Sequence, residues 1–380
     1  MRILCQCEGY LPDVIGGEEV LNARLFDHLR RRGHDILVLT SCVGGRPAGR
    51  YAYDGIPLQK LEFGAALQFG RMADIVRVQR ELNDIVAKFD PDMLHLNDTR
   101  PSSFFFLRRD ALRDLPRLVT LHSPVRPQSK GGLQNRLVEE ADIVVAVSQS
   151  VADDAAKAVP SIERKLIVIP NALPPPPLQP APLPAAPVTF LCFGRVVPDK
   201  GMDVAIEALA ILQAQGLHAD LVIIGNGYQK GLLEKLVQKR GLLEHVRFRG
   251  WLMPEDIPGA INEATAVLVP SRWKEPFGLA ALQAAQMGRP VIASRIGGLQ
   301  EIVIHGETGF LVTPDDAVAF ANAMADIVRS PGLATDMGGK ARSRASRLFD
   351  FTTFVSRYEQ ALLSVRQDQC DAARQCELVS

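Results

Sequence analysis

The chain lacks several features that would decide its class at once. No stretch approaches the roughly 18 or more apolar residues of a membrane-spanning helix. Met1 to Glu8 is a short strand-like run with an acid at position 8 and no long apolar segment, so it does not read as a signal peptide. Net charge is absent. The 43 Lys and Arg balance 43 Asp and Glu, so no global field points to nucleic acid or to an anionic membrane surface. Six cysteines (Cys5, Cys7, Cys42, Cys192, Cys370, Cys376) are too scattered for a disulfide framework and read as free thiols of a reducing cytoplasm. Cys5 and Cys7 share one strand face with no second ligand pair near them in sequence, which fits buried strand cysteines better than a metal site.

What is present is a repeated rhythm of apolar strand, glycine-bearing turn and amphipathic helix, the pattern of doubly wound parallel sheets. The 380 residues suit two domains of somewhat under about 200 residues each. In the first half, strands are expected at Arg2 to Cys7, Ile36 to Thr40, Met93 to Leu96, Leu118 to His122, Ile143 to Val147 and Leu166 to Ile169, with a helix over Glu18 to Arg32. The stretch PPPPLQPAPLPAAP, residues 174–187, can form neither helix nor central strand and reads as a stiff linker. It separates a first domain, 1–173, from a second, 188–351, and the C-terminal helix 352–380 is expected to complete the first. In the second domain the strand-like runs are Val188 to Phe193, Ala219 to Ile224, Val246 to Arg249, Ala264 to Val269 and Pro290 to Ala293. The last dozen residues carry little pattern and are expected to fray.

The densest chemistry follows the run Ala264 to Val269: Ser271, Arg272, Trp273, Lys274, Glu275, Pro276, Phe277, Gly278 and Leu279, then an apolar helix to Met287 and the pair Gly297-Gly298. These residues fall at the carboxyl edge of a sheet, where open α/β sheets bind ligands. The helix start offers unpaired N–H groups beside Lys274 and Glu275, which suits an anionic, hydroxyl-rich ligand such as a sugar phosphate. Arg195 and Lys200 flank another turn directly after a strand. From the residues alone, a diphosphate clamp and a pair of solvated charges are both open readings. Gly16 and Gly17 would let backbone approach a ligand at a helix start, or serve packing alone. His122 ends a strand, as does His95, which reads more readily as a structural group. Asn97, Asp98 and Arg100 follow His95 at the same edge and are candidates for acceptor contacts.

Five of these elements, in order, resemble the retaining nucleotide-sugar glycosyltransferases of the GT-B fold, specifically glycosyltransferase family four: Gly16-Gly17-Glu18 with Arg32-Gly33-His34; Ile169-Pro170-Asn171; Phe193-Gly194-Arg195 with Lys200-Gly201; Gly225-Asn226-Gly227; and Glu275-Pro276-Phe277-Gly278 with Gly297-Gly298. The resemblance covers essentially the whole chain. It implies two Rossmann-like domains facing across a cleft. It implies transfer of a hexosyl unit from a nucleoside diphosphate sugar, UDP-sugar favoured, to a hydroxyl of a saccharide, glycolipid or small metabolite, without metal or other cofactor. Arg195, Lys200, Glu275 and His122 would be the catalytic set. Gly16, Gly17, Gly194, Gly225, Asn226, Gly250, Trp251, Pro276, Phe277, Gly278, Leu279 and Gln283 would bind the donor. Gln283 departs from the family, which places a second glutamate there for the nucleotide ribose. An amide keeps an acceptor oxygen but loses the charge.

A sugar-nucleotide epimerase or phosphorylase on the same fold, or a non-catalytic sugar-nucleotide-binding protein, stays open as an alternative. A nicotinamide enzyme does not fit, since Lys230 stands at the third glycine position of the run beginning Gly225-Asn226-Gly227. Asp90-Pro91-Asp92 reads as a helix stop rather than a metal-binding acid pair. Arg71, Arg77 and Arg80 are too few for a membrane-binding patch and read as a solvated face, with weak peripheral membrane contact left open.

Overall fold

A computed structural model describes residues 1–41, 45–97, 99, 112, 115–125, 132–184 and 186–377. Asp98 and Arg100, two of the expected acceptor contacts, and Cys42 lie outside the described residues. The chain forms two units, Met1–Asn171 with Thr352–Ser380, and Ala172–Phe351.

The first unit carries β1 (Arg2–Cys7), α1 (Gly17–Arg31), β2 (Asp35–Thr40), β3 (Gly49–Tyr53), β4 (Ile56–Lys60), α2 (Phe63–Phe69), α3 (Met72–Phe89), β5 (Met93–Leu96), β6 (Arg117–Leu121), α4 (Leu133–Glu139), β7 (Ile143–Ala146), α5 (Gln149–Ala158) and β8 (Leu166–Val168). Its sheet order is β3-β4-β2-β1-β5-β6-β7-β8, parallel except for the antiparallel β3–β4 pair. Strands β1, β5 and β6 are buried almost throughout, as expected for strands covered on both faces. The Asp90-Pro91-Asp92 turn does stop a helix. Asp90 takes a left-handed conformation after α3, and the Asp92 carboxylate accepts from the Arg2 backbone N–H at the start of β1 (2.8 Å).

The second unit runs β9 (Thr189–Phe193), α6 (Met202–Ala214), β10 (Asp220–Ile224), α7 (Lys230–Lys239), β11 (Val246–Gly250), α8 (Ile257–Asn262), β12 (Ala266–Val269), α9 (Leu279–Gln286), β13 (Val291–Ser294), α10 (Leu299–Ile302), β14 (Gly309–Val312), α11 (Ala317–Arg329) and α12 (Pro331–Leu348). Its sheet, β11-β10-β9-β12-β13-β14, is parallel throughout. Phe190, Ile206, Leu209, Ile223, Phe320 and Met324 are fully or almost fully buried in its core.

The proline-rich stretch is irregular but not a free spacer. Arg289, 1% exposed, donates to the carbonyls of Ala181 and Pro182 as well as to those of Asn262, Ala264 and Met287. The Asn262 amide brackets the same segment, accepting from Ala181 N and donating to Gln179 O. A chain without backbone donors at its prolines thus finds partners for its carbonyls on the second unit.

The last helix, α13 (Phe351–Glu377), packs in the first unit through Phe354, Val355, Tyr358 and Leu362. Its Glu359 accepts from Arg32 (2.6 Å) and from His34 Nε2 (2.9 Å), and Arg357 donates to Val168 O (2.6 Å). The helix runs to Glu377, through the stretch whose residues carry little pattern. Gln, Ala, Arg and Glu in that stretch are good helix formers, and propagation from a docked first half carries them. The β3–β4 hairpin was likewise absent from the sequence reading. Its two-residue Asp54-Gly55 turn, both residues at positive φ (47° and 76°), is the signal that could have found it.

Candidate active site

In each sheet the strand order reverses direction at one place, and there the loops diverge and leave a crevice at the carboxyl edge. In the second unit this point lies between β9 and β12, since β9 continues to β10 on one side and meets β12 on the other. Gly194, Arg195 and Lys200 follow β9, and Ser271 to Leu279 follow β12. The Gly225–Asn226 turn after β10 and Gly250–Trp251 at the end of β11 stand at the same edge. Gly225 N donates to Gly250 O (2.7 Å), and Val196 N to Asn226 O (2.9 Å). All of the second-unit residues expected to bind donor except Gln283 thus lie in this set of adjoining loops. Gln283 lies one turn into α9, half-buried, with no side-chain hydrogen bond among the described residues.

At the centre, Lys200 Nζ donates to Glu275 Oε1 (2.5 Å), and Ser271 Oγ donates to the same oxygen (2.7 Å). Glu275 is 6% exposed. Both contacts fall on one oxygen, leaving Oε2 without a hydrogen bond among the described residues. Burying a carboxylate is costly unless it is paired, so the ion pair fixes this acid in one place. Two glycines make that closeness possible. Gly201, at φ 63°, passes so near β12's end that a Cβ would stand 1.9 Å from Pro270 O. Gly297, at φ 57°, would place one 2.2 Å from Glu275 O, while Gly298 N donates to that carbonyl (2.8 Å).

Arg195 is exposed and makes no ion pair among the described residues. Phe277 is buried edge to face on Phe349 (5.4 Å), so only its backbone is available to a ligand. Trp251 is 42% exposed. The sequence places Ser271, Arg272 and Trp273 in the stretch that bears Glu275 but assigns none of them a role. Arg272 is tied to Asp203 and Asp315, and the buried Trp273 Nε1 has no hydrogen-bond partner among the described residues. An Arg or Ser beside an acid is too common in sequence to announce its partners.

In the first unit the reversal lies between β1 and β5. Gly16 caps α1 after β1, Asn97 follows β5 and His122 follows β6. The Asn97 side chain is buried, and neither amide atom is hydrogen-bonded among the described residues. His122 is half-buried. His95 is fully buried between Phe26 and Tyr358, shares a hydrogen bond with Thr120 Oγ1 (2.9 Å), and is pushed down to about pKa 3 by burial and then by His122. It stays neutral and belongs to the core. Asp13, in the loop before α1, accepts from Arg46 (2.9 Å) and Lys60 (3.2 Å). Burial alone would raise its pKa, but these hydrogen bonds outweigh that and lower it. Among the described residues, no three of His, Cys, Asp and Glu come together as a metal-binding group, and no helix is long and apolar enough to cross a membrane.

Two doubly wound units, each with polar groups and glycine turns at its reversal point, define a nucleotide-binding α/β protein of the GT-B kind. The family model Glycosyltransferase Family 4 matches residues 15–175, and Glycosyl transferases group 1 matches residues 179–344. The glycogen synthase of Mycobacterium tuberculosis (strain ATCC 25618 / H37Rv) is 28% identical over 407 residues, spanning 97% of this chain and 96% of that protein. The D-inositol 3-phosphate glycosyltransferase of Streptomyces avermitilis is 35% identical over 175 residues, 44% of this chain and 37% of that protein. Sucrose-phosphate synthase from Thermosynechococcus elongatus shares the fold over the whole of both chains, with TM-score 0.78 and 25% identity. Anabaena Alr3699/HepE in complex with UDP-glucose does so over 96% of this chain and 100% of that one, with TM-score 0.77 and 22% identity. The chain belongs to the GT-B glycosyltransferases of family four and is a glycosyltransferase that uses nucleotide-sugar donors.

Proposed function

We propose that the protein is a retaining, metal-independent hexosyltransferase that takes its sugar from a nucleoside diphosphate, UDP favoured, and delivers it to an acceptor hydroxyl. The observation that carries this reading is the Lys200–Glu275–Ser271 constellation at the reversal point of the second sheet, with exposed Arg195 on the same loop as Lys200. Arg195 and Lys200 supply two cations where charge builds on the departing diphosphate, the task a metal ion performs in other sites. Glu275, held by Lys200 and Ser271, keeps Oε2 for donor sugar hydroxyls. His122, Asn97 and the Gly16 turn, at the corresponding edge of the first unit, serve contacts to the sugar and the acceptor.

Retention follows a front-face path. The acceptor oxygen bonds to the anomeric carbon as the carbon–oxygen bond to the diphosphate breaks. The acceptor proton passes to a phosphate oxygen, so atoms and charge balance without a protein nucleophile. Related proteins bearing UDP and UDP-glucose support the uridine preference. The buried free thiols of Cys5, Cys7 and Cys192 support a reducing, cytoplasmic setting.

The test is calorimetric titration with UDP, GDP, ADP and TDP, with and without a chelator, followed by assignment of the anomeric configuration of the product. Metal-independent binding of UDP and a retained configuration are expected. Lys200→Ala and Arg195→Ala should each lower turnover by about a hundredfold or more. A near-wild-type rate in either variant removes that residue from the site. Gln283 favours one second reading, a nucleotide-sugar sensor without turnover. UDP binding with no transfer to any acceptor, and turnover restored by Gln283→Glu, would establish it.

A further inference from the structure

Arg272 stands in the same loop as Glu275, yet its guanidinium is already engaged. Nη1 and Nη2 donate to the two oxygens of Asp203 (2.7 and 2.6 Å), Nε donates to Asp315 (2.7 Å), and Nη1 also donates to Pro198 O (3.2 Å). Four of its five N–H groups are therefore used, and both neighbouring carboxylates offset its charge. Such a group has little left to offer a ligand.

What the contacts hold is the turn that bears Lys200. Pro198–Lys200 is a single 3-10 turn between β9 and α6. Arg272 grips it from the side through Pro198 O, and its backbone N–H donates to Asp199 O (2.9 Å). Asp203, in the first turn of α6, locks the far side of the same corner. Asp315 reaches Nε from a left-handed backbone conformation, φ 63°, that residues other than glycine rarely adopt. The corner is thereby tied to the β12 loop independently of the Lys200–Glu275 contact itself.

We propose that Arg272 is a positioning residue. It sets where the Lys200 ammonium lies against the donor diphosphate, and Asp203 and Asp315 are the anchors that let it do so. A lysine is a point charge on a long flexible stem, so its placement depends on where the main chain below it is held. Small displacements of a reacting or charge-stabilising group cost large factors. The proposal rests on the reading of Lys200 as a diphosphate ligand.

The experiment is a double-mutant cycle on the full chain, with UDP and uridine as separate probes. Arg272→Gln is expected to weaken UDP about tenfold, to leave uridine within about twofold, and to have no further effect in a Lys200→Ala background. Equal loss of UDP and uridine, or a UDP loss that persists in the Lys200→Ala background, overturns the proposal and makes Arg272 a general stabiliser of the unit. If Lys200→Ala binds UDP like the wild type while Arg272→Gln does not, the diphosphate reading of Lys200 itself fails, and the proposal falls with it. Should Arg272→Gln not fold, Asp315→Asn, at an exposed rim position, is expected to weaken UDP about threefold with uridine unchanged. No change in UDP affinity for a folded Asp315→Asn overturns the proposal equally.

Discussion

The two units share a topology but hold their carboxyl edges together by different means. In the second, loops after β9, β10, β12 and β13 touch backbone to backbone, and a buried carboxylate is locked by an ammonium and a hydroxyl. In the first, the described edge keeps a buried amide, Asn97, with no hydrogen bond, and its charged cluster, Asp13 with Arg46 and Lys60, is a side-chain contact between loop and strand. The second edge is braced by main-chain contacts and one buried ion pair, with Glu275 Oε2 and Trp273 Nε1 left without hydrogen bonds among the described residues. Among the described residues the first edge leaves both Asn97 amide atoms with unused hydrogen-bonding capacity.

Breaking the backbone contacts of the second edge gives the largest effect. Gly297→Ala sets a methyl group against the Glu275 main chain at positive φ and is expected to cost about 3–4 kcal/mol, with loss of turnover. A thermal melt and a donor-cleavage assay read both, and an active variant of normal stability would dissolve the contrast between the units. Arg289→Met comes next. It strips hydrogen bonds from buried carbonyls and unlatches the proline-rich segment, at about 2–3 kcal/mol, with new protease cleavage within residues 174–187. Unchanged proteolysis would show that the segment is held by something else.

Glu359→Gln tests the side-chain ties of the first unit through pH. Burial alone would raise the Glu359 pKa, but hydrogen bonds from His34 and Arg32 outweigh that and lower it in the fold. Its contribution, about 1 kcal/mol or less, is present above the unfolded glutamate range near about 4.3 and is lost as pH falls through the lower folded value. The melting-temperature gap between wild type and variant should be full at neutral pH and close in acid below that range. A gap that widens there has the wrong sign for this ion pair. The smallest stability effect belongs to Asn97→Leu, expected to melt at or slightly above the wild type because an unpaired buried amide is replaced by an apolar group of similar size. The acceptor KM should nonetheless rise about tenfold. Marked destabilisation would mean that the amide is satisfied within the protein.

Much of this was legible in the residues. The apolar runs ending at Thr40, Phe193, Ile224 and Val269 mark strands because a doubly covered parallel strand must be apolar on both faces. Glycines and charges just past those runs mark the edge. The β3–β4 hairpin and the long α13 were missed for opposite reasons: the hairpin alternates in burial but sets charged Lys60 on its buried face beside Ile56 and Leu58, which hides the pattern in the residues, while the polar end of α13 has no apolar stripe although its residues favour helix.

The sequence by itself determined the doubly wound architecture and the family, because these rest on local periodicity and on residue types at fixed spacing. Only the tertiary structure decided that Lys200 meets Glu275 across 75 residues, that Arg272 faces Asp203 and Asp315, and that His95 is core. Strand order brings those groups together, and strand order is set by how whole elements pack, which no local pattern records.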